Sequence, residues 1–114
     1  MLTSIPPISN AATWKDTLEV TEDGVAWWTF ATPATWPDAI TLKLRDQKTD
    51  AIVLEGSLSG GDITITADGQ AEFIFSATTM NGIEPKTYDV GCLITFDDEV
   101  TEVILGSITV LKGL

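Results

Sequence analysis

The feature that most constrains the fold is an alternation of apolar and polar side chains with a period of two residues. In an extended chain successive side chains point to opposite faces, so this alternation predicts strands with one buried and one solvent-facing side. No segment shows an apolar period of about 3.6 residues over a useful length, and we therefore expect almost no helix. The alternating stretches are Ile40–Arg45, Ile63–Ala67, Ala71–Ser76 and Tyr88–Phe96.

Turn-forming residues separate the alternating stretches. Asp23–Gly24 and Asp68–Gly69 predict hairpin turns, because an Asp-Gly pair readily adopts the positive φ of a type I′ turn. Further breaks occur at Asp46–Asp50, Ser59–Gly61 and Met80–Gly82. The result is about seven or eight strands at intervals of about 8–12 residues, the spacing of an antiparallel sandwich. We predict an all-β chain that forms a single antiparallel β-sandwich, immunoglobulin-like in architecture.

The domain organisation follows from length and from the prolines. A chain of 114 residues corresponds to one domain. Residues 1–13 are predicted to form an extended N-terminal arm, because Pro6 and Pro7 fix φ and restrict the residues before them. Residues 14–114 then form the β-sandwich domain. A chain of this size buries roughly two thirds of its unfolded surface, so its core needs no disulfide or metal.

Charge and residue usage exclude several classes of function. The chain has 17 acidic and 6 basic residues and no histidine, for a net charge of −11. Without histidine there is no Ser-His-Asp or Cys-His site, and the commonest zinc ligand is missing. The negative charge argues against binding to nucleic acid or to anionic membranes. No apolar run is long enough to span a bilayer and the N-terminus lacks signal-peptide features, so we expect a cytoplasmic site of synthesis and no membrane partner.

The remaining candidates for chemistry are two acidic clusters, a glycine-rich segment and one cysteine. Carboxylates such as those of Glu19–Asp23 and Asp97–Glu99 can bind calcium or hydrolyse a glycosidic bond, but the spacing of a calcium loop is missing and we interpret them as solubilising charge. Gly56–Gly61 lacks the lysine and helix of a phosphate loop. Cys92 lies on the apolar side of its strand and is interpreted as a core residue. We expect no catalytic residues, no metal and no cofactor, and predict that the chain is not an enzyme.

The tryptophans carry the most information about binding. Trp27 and Trp28 are adjacent, so in a strand they must point to opposite faces. Phe30 is in phase with Trp28, which favours Trp28 inward and Trp27 outward. An outward tryptophan can enter a partner protein or stack on a sugar ring. The alternative is that Trp27 is covered by the arm 1–13 or by the loop Thr32–Pro37.

Five segments carry a family resemblance. They are, in chain order, Leu42–Asp46, Gly61–Thr64, Phe73–Phe75, Thr87–Gly91 and Val103–Gly113. In this order they resemble the small immunoglobulin-like β-sandwich proteins of tailed bacteriophages and prophages, which include the N-terminal domains of baseplate upper proteins. The last third of the chain is the closest. The resemblance implies a structural role in a virion tail, baseplate or neck, and it brings no catalytic residues with it.

We therefore predict a non-enzymatic phage or prophage virion structural protein that acts through protein–protein contacts. Its expected partners are other virion or tail proteins, with self-association as a further option. Its expected location is the cytoplasm of the bacterial host during assembly and then the virion. The alternative is a carbohydrate-binding or receptor-contact module that uses exposed tryptophans. The predicted interface residues are Ile5, Pro6, Pro7, Trp27 and Trp36.

Overall fold

The computed structural model describes residues 7–97 and 99–113, except for the side chains of residues 103–105. Within this range the chain is all-β, as predicted, and its helical elements are a 3₁₀ turn at Pro33–Thr35 and the one-turn helix α1 at Ala77–Met80. No helix in the described range is long and apolar enough to cross a membrane. The strands are β1 (Ile8–Ser9), β2 (Trp14–Glu19), β3 (Thr21–Glu22), β4 (Val25–Ala26), β5 (Ala39–Asp46), β6 (Ile52–Ser57), β7 (Ile63–Ala67), β8 (Gln70–Phe75), β9 (Thr87–Phe96) and β10 (Glu99–Leu111).

The strands form one large sheet and two smaller ones. The large sheet has the order β1-β10-β9-β5-β6, a second sheet has the order β2-β8-β7, and β3 pairs with β4. All of these pairs are antiparallel except β1 with β10, which are parallel, with Ile8 beside Val110. Two residues of the described part of the arm, Ile8 and Ser9, therefore form an edge strand of the large sheet, and the prediction of a wholly antiparallel fold is wrong at this strand. The prediction of a single sandwich is not confirmed, because the strands form three separate sheets.

The centre of the large sheet is the pairing of β5 with β9. It runs without a bulge from Ala39 opposite Thr95 to Asp46 opposite Tyr88. The apolar residues of both strands are buried on the inner face, so the period-two prediction is confirmed here. These buried residues are Ile40, Leu42, Leu44, Val90, Cys92 and Ile94.

The three-stranded sheet supplies the other side of the core. The ring of Trp14 stacks on Phe75 with 5.6 Å between centroids and meets Phe73 edge-on at 4.9 Å. Trp28 is buried, and its indole Nε1 donates a hydrogen bond of 3.1 Å to the carbonyl oxygen of Ala67. The predicted inward position of Trp28 is confirmed, and its ring joins the same core as the inner face of β5 and β9.

Both Asp-Gly pairs lie in hairpin turns as predicted, but only the first has the predicted positive φ at both residues, because φ of Asp68 is not positive. Asp23 and Gly24 have φ values of 53° and 79° between β3 and β4. Gly69 has a φ of 62° between β7 and β8, and a Cβ atom there would lie 2.7 Å from the carbonyl oxygen of Val20. Glycine is required at Gly69 for both its conformation and this close approach.

Two isoleucines, one on a strand of each larger sheet, test the location of the core. Ile94 is fully buried on β9, whereas the side chain of Ile74 on β8 is 44% exposed. We expect Ile94→Ala to reduce the free energy of unfolding by about 2–5 kcal/mol, because it leaves a cavity, and Ile74→Ala to reduce it by less than about 1 kcal/mol. Urea unfolding followed by tryptophan fluorescence measures both, and equal losses would contradict the assignment of the inner face.

Candidate functional site

The predicted interface residues that the structure describes, Pro7, Trp27 and Trp36, do not line a common hollow. Ile5 and Pro6 lie outside the described residues. Pro7 is exposed and directly precedes β1. Trp27 and Trp36 are both half-buried and pack against the margin of the core.

Trp27 lies in an open hollow of about 410 Å³, here called the Trp27 hollow. Its ring packs against Phe96, at the end of β9, with 6.1 Å between centroids and 56° between the planes. Glu22, Glu99 and Thr101 complete the lining. Among the described residues, the lining besides Trp27 comes from β3, β9 and β10 and not from residues 7–13 or the loop Thr32–Pro37, and Trp27 keeps a partly open position.

Backbone pairing places the residues of the Trp27 hollow. The backbone N–H of Trp27 donates to the carbonyl oxygen of Val20, next to the hairpin of β3 and β4 that carries Glu22. Glu99 is the register partner of Phe96, because β9 turns directly into β10. The indole Nε1 of Trp27 is buried and has no hydrogen-bond partner among the described residues.

The charge of the Trp27 hollow is not balanced by the described residues. Glu22 and Glu99 are both exposed, and neither takes part in the ion pairs formed by the described residues. The basic side chains in those ion pairs are Lys15, Arg45 and Lys86. The hollow thus combines an aromatic surface with two carboxylates that have no cationic partner in the described range.

Trp36 belongs to a second aromatic pair, with Phe30. The rings are 6.0 Å apart and tilted by 38°, and the Trp36 indole Nε1 donates to the carbonyl oxygen of Thr29 at 3.0 Å. The side chain of Phe30 is 46% exposed. The prediction that Phe30 follows Trp28 inward is wrong, because β4 ends at Ala26 and a bend, not a strand, follows.

Side chains from two loops hold that bend. The hydroxyl oxygen of Thr35 accepts the backbone N–H of Thr29 at 2.9 Å, and the Asp68 carboxylate accepts that of Phe30 at 2.8 Å. The turn residue Asp68 therefore has a second role in positioning the aromatic pair, which the Asp-Gly pattern alone does not indicate.

A polar cluster at the end of β5 was not expected from the sequence. The buried carboxylate of Asp46 forms an ion pair with Lys86 and accepts the backbone N–H groups of Lys48 at 2.8 Å and Thr49 at 3.2 Å. The hydrogen bond from Lys86, followed by that from Lys48, lowers the pKa of Asp46 to about 2. The same pairing raises the pKa of Lys86. This cluster ties the turn after β5 to the segment that leads into β9.

Tyr88 extends this cluster. Its hydroxyl donates to the carbonyl oxygen of Glu84 at 2.5 Å, and the Nζ atom of Lys86 lies 5.9 Å from the centre of its ring. Burial raises the pKa of the Tyr88 hydroxyl, so it stays protonated as a hydrogen-bond donor at neutral pH. These contacts are structural, because the Tyr88 hydroxyl and the Asp46 carboxylate both have their partners within the chain.

The outer face of the large sheet holds a shallow hollow of about 170 Å³. Lys43, Arg45, Asp89 and Glu102 provide its charged lining. Arg45 pairs with Asp89 at 3.1 Å, and hydrogen bonds from Gln47 and then Arg45 lower the pKa of Asp89. Opposite charges meet inside this hollow, so it offers less net charge to a partner than the Trp27 hollow does.

Reactive and metal-binding groups are sparse in the described range. Burial raises the pKa of the Cys92 thiol to about 12, so it is protonated at neutral pH, as expected of a core residue. Within residues 7–97 and 99–113, no three Asp, Glu or Cys side chains come together in a group that could hold a metal ion.

Comparison with known proteins gives a fold but no family. No protein-family model matches the chain, and no curated protein matches it. Among solved structures, the chain is similar to the endo-β-1,4-mannanase from Thermotoga petrophila, with a TM-score of 0.58 and 11% sequence identity. The similarity covers 96% of this chain but only 18% of the mannanase chain. At this identity it shows a shared fold.

The mannanase similarity corrects one prediction. We expected from the missing histidine and the sparse chemistry that the chain is not an enzyme, and a fold that recurs within an enzyme chain contradicts this expectation. The residue inventory excludes particular active sites, such as a Ser-His-Asp triad, within these 114 residues. It does not exclude relatedness to an enzyme of greater length.

The Asp46 cluster makes the stability of the fold depend on pH. The Asp46 pKa is about 2 in the folded protein, against an ordinary value of 3.8, so ionised Asp46 stabilises the fold above about pH 4 and this contribution is lost as the pH falls towards 2. We expect wild type to need more urea to unfold than Asp46→Asn at about pH 6, with a difference that shrinks towards about pH 3.

The exposed residue Asp38 provides the control for this measurement, since Asp38→Asn changes the net charge equally. We expect its urea midpoint to stay close to that of wild type across the same pH range. Equal midpoints for wild type and Asp46→Asn at about pH 6 would show that the ion pair with Lys86 does not stabilise the fold.

Proposed function

We propose that the chain is a structural protein of a bacteriophage or prophage virion, in the tail, baseplate or neck, that acts by binding neighbouring virion proteins. The observation that carries this proposal is the Trp27 hollow, where a half-buried aromatic pair lies open beside two carboxylates that form no ion pair with the described residues. Partly exposed tryptophans in concave surfaces are typical anchors of protein interfaces. The resemblance of the chain to virion β-sandwich proteins supports the same class.

We also propose that the three sheets together form one immunoglobulin-like sandwich. Tyr88 supports this, since it stands near the start of β9 and its hydroxyl bonds to the backbone of Glu84, four residues upstream. Many immunoglobulin-like domains have a tyrosine with this bond at the corner that leads into the corresponding strand. The common core is a second support, because Phe73 of one sheet and Leu42 of the other belong to one buried cluster.

In this proposal the arm contacts neighbouring proteins through its first residues. Its described part is held to the body, since β1 pairs with β10 and the side chain of Asn10 bonds to both Ile83 and Gly113. The predicted contact residues Ile5, Pro6 and Pro7 precede this anchored part. The protein is assembled in the cytoplasm of the bacterial host and then remains in the virion.

Purification of particles from a strain that carries this gene tests the virion proposal. We expect quantitative mass spectrometry of density-banded particles to find the chain in a fixed ratio to the tail proteins. Trp27→Ala should lower that ratio about tenfold, because loss of a central aromatic anchor commonly costs 2 kcal/mol or more of binding energy, roughly thirtyfold in affinity. Phe30→Ala, which truncates an exposed aromatic residue outside the Trp27 hollow, is the control and should leave the ratio unchanged. Complete particles without the chain would refute the proposal.

A second candidate function is a carbohydrate-binding module, and the similarity to a mannanase favours it. Exposed Phe30 and half-buried Trp36 form the aromatic pair on which a sugar ring would stack. Under this candidate, β-1,4-mannan in a native gel should slow the migration of the protein, and Phe30→Ala should abolish the retardation. Migration that is unchanged by mannan would remove the candidate.

A further inference from the structure

We infer that the Trp27 hollow, lined by Glu22, Trp27, Phe96, Glu99 and Thr101, binds an arginine side chain of a partner protein. The inference rests on the proposed function, because it takes the partner to be a protein and specifies the chemistry of its contact.

The aromatic part of the hollow fits a planar cation. The rings of Trp27 and Phe96 pack against each other, 6.1 Å apart between centroids and inclined by 56°, so a group in the hollow lies against this aromatic pair and not between its rings. Tryptophan is the aromatic residue that attracts cations most strongly over its face, and arginine uses this contact more often than lysine. The open space of about 410 Å³ admits a guanidinium group with part of its apolar stem.

The carboxylates supply the complementary charge. Glu22 and Glu99 approach the rings from different strands and form no ion pair with the lysines and arginine of the described range. The whole chain has 17 acidic and 6 basic residues, so it has no surplus of cations to neutralise them. A guanidinium can donate to a carboxylate while it stacks on a ring, which a compact, strongly hydrated ammonium group does less well.

The same lining argues against other occupants. A calcium ion takes six to eight oxygen ligands, and no group of three acidic side chains in the described range is arranged to hold a metal. Phosphate-bearing partners are repelled by two carboxylates and by the net charge of −11. A basic segment of a protein is the partner whose charge is complementary to both the hollow and the whole chain.

The test is a titration of the 15N-labelled protein with the peptide acetyl-Gly-Arg-Gly-amide at constant ionic strength. The matched peptides contain lysine or the neutral isostere citrulline in place of arginine. We expect a saturable shift of the Trp27 indole N–H signal, which is assigned by its loss in Trp27→Phe, with little change at Trp14, Trp28 and Trp36. Binding of the citrulline peptide should be at least about tenfold weaker, because the charge is lost.

Two double variants separate the hollow from general charge. Glu22→Gln with Glu99→Gln should weaken binding of the arginine peptide about threefold to tenfold, the range expected for the loss of two exposed ion pairs. Glu55→Gln with Glu84→Gln removes the same charge from exposed residues outside the hollow, and should leave the affinity unchanged.

Each adverse outcome has one meaning. No shift at Trp27, or equal binding of the citrulline peptide, overturns the inference. Equal binding of the lysine peptide overturns the choice of arginine. Particles that contain the chain although the peptide does not bind would refute this inference alone, whereas a bound peptide with particles that lack the chain would refute the proposed virion role.

Discussion

The pairing of β5 with β9 is the contact on which the rest of the fold depends. It runs through eight residue pairs without a bulge, so it determines which side chains of both strands face the core. A shift by one residue would turn Leu42 and Val90 to the solvent, because side chains in a strand alternate with a period of two. β6 and β10 add to the two sides of this pair. The Asp46 cluster closes one end of it, and the Trp27 hollow, through Phe96, lies at the other end.

The sequence predicted those features that depend on local signals. Alternation identified the inner faces of β5 and β9, and two Asp-Gly pairs identified both hairpins. The pairing of β1 with β10 could not be predicted, because only two residues of each strand take part and about a hundred residues separate them. Phe30 was placed wrongly because the alternation was extended beyond β4, where hydrogen bonds from Thr35 and Asp68 bend the chain.

The candidate site was predicted only in part. Trp27 was found by its adjacency to Trp28, which is a local argument. Its companions Glu22, Phe96 and Glu99 are set by packing between distant segments, and the sequence offered no sign of them beyond an excess of acidic residues in turns. The expectation against an enzyme failed for a different reason. It was drawn from the residues of this chain, while the similarity that contradicts it concerns a mannanase of which the chain covers 18%.

The pairing of β1 with β10 affects how the domain can be joined to other sequence. Ile8 lies beside Val110, and the side chain of Asn10 joins the backbone at Gly113, so the two ends of the described chain are neighbours in space. Domains whose termini are close together can be inserted into a host loop or circularly permuted with little disturbance. Sequence fused before residue 7 or after residue 113 would therefore be attached at the same edge of the large sheet, the edge formed by β1 and β10.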